Sequence, residues 1–332
     1  MLEDATELIG RLGYTPEESQ FLLLAAIHSG YFVRRQFSEF LGHGRGGAEA
    51  RFVEKLLEQG YAQVINPRGN RLLYHLRAKQ LYGRLDQTDN RNRRDKMPLT
   101  VKRKLMCLDF VLANRDQRLL GLEAEKVHYF TQERGLSLDQ LPVRRYPAHH
   151  SSQVTDRYFV DKLPVYVSAT QPLPAPVVHF TYVDEGAESL DGFETFLRQY
   201  RDLCVALGHF EIVYVAAEPR WTDKARRLFE RFYPPGGSLL LPEQTRMLAF
   251  FQTRRKFDTR QFSGLDAERI ARFREEKREF VSAEHEQLYV RWLAEGDAAI
   301  QIAPSSAALQ GRFRTVVFGH DYNLFGGLRR AS

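Results

Sequence analysis

The stretch from Tyr31 to Leu76 constrains the fold more than any other part of the chain. Residues 32–41, FVRRQFSEFL, carry the apolar spacing of a short amphipathic helix. The glycine-rich break 42–47, GHGRGG, stops it. Ala48 to Gln59 predicts a second helix, with Phe52, Val53, Leu56 and Leu57 on one face and Arg51, Glu54, Lys55 and Glu58 on the other. Gly60 suits the left-handed conformation that ends such a helix. Two β-like runs follow, Tyr61 to Ile65 and Arg71 to Leu76, around the turn 66–70, NPRGN.

Helix, tight turn, helix and hairpin is the order of a winged helix-turn-helix, expected here over residues 1–86. The first helix of that core is announced by Thr15, Pro16 and Glu18, an N-cap, a proline at the first helical position and the acid that closes a capping box. The chemistry suits double-stranded DNA. Gly46, Gly47 and Ala48 let a helix start approach phosphates closely. Arg45, Lys55, Arg68 and Arg71 are the expected phosphate contacts, and Arg51 the expected reader of base edges. Use of the same module for protein contacts, as an assembly adaptor, is the alternative.

A chain of 332 residues with 43% hydrophobic and 12% aromatic content has ample material for a packed core. Its formal charge of +6 favours a polyanionic partner only mildly, because 42 acidic residues are mixed in. Cys107 and Cys204 sit in apolar helical contexts and read as core thiols of a cytoplasmic protein. No apolar run approaches membrane-spanning length, so no membrane partner is expected. A homodimer remains among the candidate assemblies. Walker, dinucleotide, CxxC-pair and HExxH patterns are all missing from the sequence.

Residues 87–140 read as a basic linker, DNRNRRDK at 89–96, and a helical connector with helices at Leu99 to Asn114 and Glu123 to Arg134. From 141 to 235 the period changes. Arg157 to Asp161, Pro164 to Ala169 and Val177 to Asp184 are β-rich, Ser189 to Leu207 is a patterned helix, Phe210 to Ala216 a buried strand and Trp221 to Phe232 a helix. The expected fold class is therefore α+β or α/β: a winged helix, then a restriction-endonuclease-like mixed sheet, then a helical extension over 236–332 with a terminal strand. A nuclease would need carboxylates converging on Mg²⁺ or Mn²⁺, here Asp161, Asp184 and Glu185, and a lysine on the following strand. No lysine stands at that spacing in FTYVDE at 180–185, and acids at a strand-to-helix loop also suit the helix dipole. The domain reads as nuclease-like without a full catalytic set, so no catalytic residue, metal or other cofactor is assigned; a divalent-metal endonuclease is the alternative.

LLEQGY at 56–61 and FTYVDEGAES at 180–189, followed by Phe193 and Tyr200, resemble replication-relaxation proteins of plasmids and integrative elements. The similarity spans roughly residues 15 to 235 and its motifs are loose. It implies a winged helix joined to a nuclease-like domain, in a DNA-binding regulator of transcription, replication or transfer of a mobile element.

Overall fold

The computed structural model describes residues 2–42, 47–65, 72–147, 154–168, 176–234, 242–262, 265, 267–300 and 310–322. It opens with α1 (Leu2–Gly10) and α2 (Pro16–His28). The capping box forms: Glu18 N donates to Thr15 Oγ1 at 3.2 Å and Thr15 N to Glu18 Oε2 at 3.0 Å. The expected helix at 32–41 divides. Tyr31–Val33 forms β1, and only Arg34–Phe40 forms the helix, α3. Aromatic and β-branched side chains favour a pleated surface there, and Phe32 pairs with Tyr74 across the sheet. Then come α4 (Ala48–Glu58), β2 (Ala62–Ile65), β3 (Leu73–Leu76) and α5 (Lys79–Arg84). The three strands are antiparallel in the order β1-β3-β2. Phe21 of α2 is their common anchor, with the rings of Phe32, Phe37, Phe40 and Phe52 centred 4.9 to 5.8 Å from its own.

The expected basic linker is not a free tether. Its Asn92 is buried, and Nδ2 donates to the carbonyls of Ala26 at 3.0 Å and Ile27 at 2.8 Å. These are orphan acceptors at the C-terminus of α2. Gly30, at φ +80°, faces Asn92 so closely that a Cβ would lie 2.5 Å from the Asn92 carbonyl oxygen. The next helix, α6 (Pro98–Ala113), was expected as a connector but is central. Val101, Leu105, Met106, Cys107, Leu108, Phe110 and Val111 are all buried, because the helix touches α2, α3 and β1 as well as the sheet strand β8 described below. Lys104 of α6 is buried too, and its ammonium donates to the His28 carbonyl at 3.3 Å, a cation where the α2 dipole favours one.

Beyond α6 lie β4 (Arg118–Leu120), α7 (Glu123–His128), β5 (Val143–Pro147), β6 (Val154–Tyr158), β7 (Val165–Ser168), β8 (Val177–Asp184), α8 (Asp191–Leu207), β9 (His209–Ala216) and α9 (Thr222–Phe232). Helices α10 (Pro242–Asp258), α11 (Ala267–Glu276) and α12 (Ala283–Glu295) precede β10 (Gln310–Val317). One mixed sheet takes the order β10-β9-β8-β7-β4. β4, β7 and β8 are an antiparallel meander, and β9 is parallel to β8. Two expectations are corrected. The run beginning at Arg157 is not the first sheet strand; β6 pairs with β5 in a separate ribbon, and the three-residue β4, too short to show a period, takes its place. The terminal strand does not stay with the helical extension: Gln310 N donates to Gly208 O and Phe318 N to Ala216 O, making β10 an edge of the sheet.

Two compact units interleave along the chain. One comprises residues 1–200, 210–229 and 312–332, so both the three-stranded module and most of the mixed sheet belong to it. The other comprises 201–209 and 230–311. Its core is Met247, Phe250, Phe251, Phe280, Tyr289 and Trp292, and Arg254, part of an apparent basic cluster in sequence, is spent on a two-pronged pair with Glu286 at 2.7 and 2.8 Å. Both cysteines are buried free thiols. No described helix is long and apolar enough to cross a membrane.

The first unit is locked at Asp109 on α6, 5% exposed. Arg35 of α3 grips its carboxylate with both terminal nitrogens, at 3.1 and 2.8 Å. Gln36 Nε2 donates to it at 2.9 Å, and the Tyr322 hydroxyl at 2.5 Å. Asp109→Ala removes the shared acceptor of Arg35, Gln36 and Tyr322, leaving the half-buried guanidinium with Glu39 alone, and is expected to cost about 3 kcal/mol in urea unfolding, against roughly 0.5 kcal/mol or less if the pair behaves as a surface ion pair. A second prediction concerns His28, whose burial, reinforced by Lys126 and Lys104, pushes its imidazole down to about 3. Below its ordinary value of 6.5 the unfolded chain binds the proton that the folded chain refuses, so stability falls as pH drops from 6.5 towards 3. His28→Gln should flatten the Tm-versus-pH slope between pH 6.5 and 4; an unchanged slope contradicts this.

Candidate functional site

The helix-and-hairpin face expected to meet DNA is described only in part. Arg45, Arg68 and Arg71 lie outside the described residues. Arg51 stands exposed in the first half of α4 and forms no ion pair among the described residues. Gly47 caps the helix at φ +78°, the left-handed conformation that glycine takes without strain. The Lys55 ammonium lies 3.0 Å from Glu18 Oε2 and 4.4 Å above the Tyr14 ring, and so ties α4 to α2. Burial first, then Tyr61 and Glu18, push the Tyr14 hydroxyl well above its ordinary value; it stays neutral and donates to Gln59 Oε1 at 2.6 Å. Glu49 lies in the first turn of α4 and Glu54 and Glu58 are exposed further along it, so Arg51 is the exposed cation of this helix.

The three acids of the nuclease alternative do not converge on one point. Asp184 ends β8 and is 4% exposed. One carboxylate oxygen accepts from Gly186 N at 2.9 Å and Ala187 N at 2.8 Å, closing a turn that places Gly186 at φ +101°, and the other accepts from the Tyr214 hydroxyl at 2.5 Å. Asp161 is likewise engaged, by Leu163 N at 3.1 Å and the Tyr200 hydroxyl at 2.9 Å. Asp161, Asp184 and Glu185 do not offer ligand atoms within 4.8 Å of one another; among the described residues that proximity occurs for Glu39, Asp109 and His320. The Arg35 guanidinium already bridges both carboxylates of that second group, and the Asp109 oxygens are further engaged by Gln36 and Tyr322.

Sequence reading missed a polar chain that crosses the mixed sheet. Ser168 Oγ lies 2.7 Å from His179 Nε2, and His179 Nδ1 lies 2.8 Å from Glu211 Oε2. These residues come from β7, β8 and β9, and register puts His179 opposite both Tyr166 and Glu211. Hydroxyl, imidazole and carboxylate in this order can activate a serine. Here, however, Arg314 Nε also donates to Glu211 Oε2 at 3.1 Å, and Tyr166 stacks on the imidazole at 4.1 Å. Burial raises the Glu211 pKa, but hydrogen bonds from His179 and Arg314 outweigh it and hold the carboxyl below its ordinary range. An arginine on the carboxylate cancels the charge that would stabilise an imidazolium, so the chain ties strands and does not drive a nucleophile. Only the alternation of His179 and Tyr166 on one face of neighbouring strands could have signalled it.

Comparison with family models, curated proteins and solved structures returns no match. Function must therefore be argued from these side chains. A fluorophosphonate probe should leave Ser168 unmodified in intact-mass measurement; stoichiometric labelling lost in Ser168→Ala would contradict the structural role given to the chain.

Proposed function

We propose that the protein binds a specific double-stranded DNA site through a winged helix-turn-helix formed by residues 16–76. The observation that supports this is the connectivity α2-β1-α3-α4-β2-β3 with the sheet order β1-β3-β2; in this reading α4 and the connection between β2 and β3 are the two contact elements. Arg51 is the described side chain suited to base edges, and Arg45, Arg68 and Arg71 are assigned to phosphates by their sequence positions. Lys55 is withdrawn from that role. The contact is made through Arg51 in the first turns of α4, with Glu54 one turn further along the same face. In this reading the layout α6, β4-β7-β8, α8, β9 is a nuclease-like domain. The commitment of both Asp161 oxygens and both Asp184 oxygens to internal donors favours a non-catalytic role for it over a divalent-metal endonuclease. The resemblance to replication-relaxation proteins makes regulation of a mobile element the proposed setting.

One observation favours the adaptor alternative: α4 also exposes Leu57, flanked by Glu54 and Glu58. Titration of duplexes selected from random sequence separates the two. Arg51→Ala should lower affinity for the selected duplex by about 1–3 kcal/mol and relax its sequence preference. Lys55→Ala should leave the slope of log K against log salt unchanged, whereas a true phosphate contact would lower that slope by about 1. Failure to bind any duplex at low salt would leave the adaptor reading standing.

A further inference from the structure

A second cationic feature lies away from α4. The segment after α5, the start of α7, β6 and the turn at residues 159–162 enclose a cleft of about 900 Å³. That is within the range of small-molecule sites, roughly 300–1,000 Å³. Arg91, Arg94, Lys126, Arg157 and Lys162 line it. Arg157 is neutralised by Glu123, whose carboxylate lies 3.0 Å away and also accepts from Tyr158 N. Arg91, Arg94 and Lys162 form no ion pair among the described residues. Lys126 is 2% exposed; its ammonium donates to the Leu163 carbonyl at 2.8 Å and sits 5.5 Å from the centre of the Phe159 ring.

The cleft is built, not incidental. Asn92, anchored on the end of α2, fixes Arg91 and Arg94 on either side of a buried residue. Four described non-glycine residues have positive φ, and three of them, Asp86 at 52°, Phe159 at 49° and Lys162 at 53°, line this one cleft. Such conformations cost of order 1 kcal/mol each and persist where surrounding structure enforces them. The cations also act on one another. Desolvation and repulsion from Arg91, Lys96 and Arg157 hold the Lys162 ammonium below the ordinary lysine range, and desolvation with Arg94 and Arg91 does the same to Lys96. An incoming anion relieves that repulsion.

The acids on the wall choose between anions. Asp86 and Asp89 line the same cleft. They repel a bare polyphosphate but accept from sugar hydroxyls or an exocyclic amine, and Tyr146, 36% exposed, supplies a ring at the rim. We propose that this cleft binds a nucleotide, with its phosphates on Arg91, Arg94, Lys126 and Lys162 and its sugar or base donors on Asp86 and Asp89. The site is independent of the duplex-reading face.

Calorimetric titration of the full chain with ATP, GTP and inorganic pyrophosphate tests it. At least one nucleoside triphosphate should bind at least tenfold tighter than pyrophosphate. Arg91→Ala/Arg94→Ala, both exposed positions, should weaken that binding at least tenfold with the circular dichroism spectrum unchanged. Asp89→Asn should weaken the nucleotide and not pyrophosphate. Arg51→Ala, which tests the duplex reading, should leave nucleotide affinity untouched. No heat at millimolar nucleotide, equal affinity for pyrophosphate, or a double variant that binds like the parent would each overturn the proposal.

Discussion

The first unit depends on one helix, α6, most of whose middle is buried. α6 touches α2, α3, β1 and β8, and its two buried charged residues, Lys104 and Asp109, are tolerated because each is met by a partner. Asp109 is gripped by Arg35, Gln36 and Tyr322, which come from α3 and from the segment after β10. Lys104 meets the end of α2. A buried carboxylate and a buried ammonium on a single helix are costly unless satisfied, and here satisfaction requires four chain segments to arrive together. The three-stranded module and the mixed sheet are thus two faces of one core.

Local signals in the sequence were sufficient for much of this. The capping box at Thr15 and the buried stripe of α8 rest on near-neighbour chemistry, and the structure bears both out; in α4 it buries Phe52, Val53 and Leu56 as expected but leaves Leu57 exposed. Longer-range partnerships were not legible. β4 has three residues, and no period can be read from three. β1 looked helical because Val33, Phe37 and Phe40 fall at a helical spacing; pairing with β3, some forty residues on, decided otherwise. The polar run 89–96 looked like a tether because the acceptors that bury Asn92 are the carbonyls of Ala26 and Ile27, which a sequence does not display.

The same blindness governs the site. Lys55 and Arg51 are both basic residues four apart on α4, yet Glu18 and Tyr14 take one inward and leave the other outward. The Ser168-His179-Glu211 chain exists only through strand register. Asp161 and Asp184 are acids whose oxygens the fold has already assigned to tyrosine hydroxyls and backbone amides. In each case residue type gave the chemistry available, and a tertiary partner decided whether it faced outward.

Native-state hydrogen exchange tests the shared core most directly. If α6 joins the two sheets, amides in α2, α6 and β8 should exchange only through the same global opening, with equal free energies and equal sensitivity to denaturant. Markedly lower protection throughout α2 to β3 than in β8 and β9 would mean an independent module on a linker, and would contradict the account.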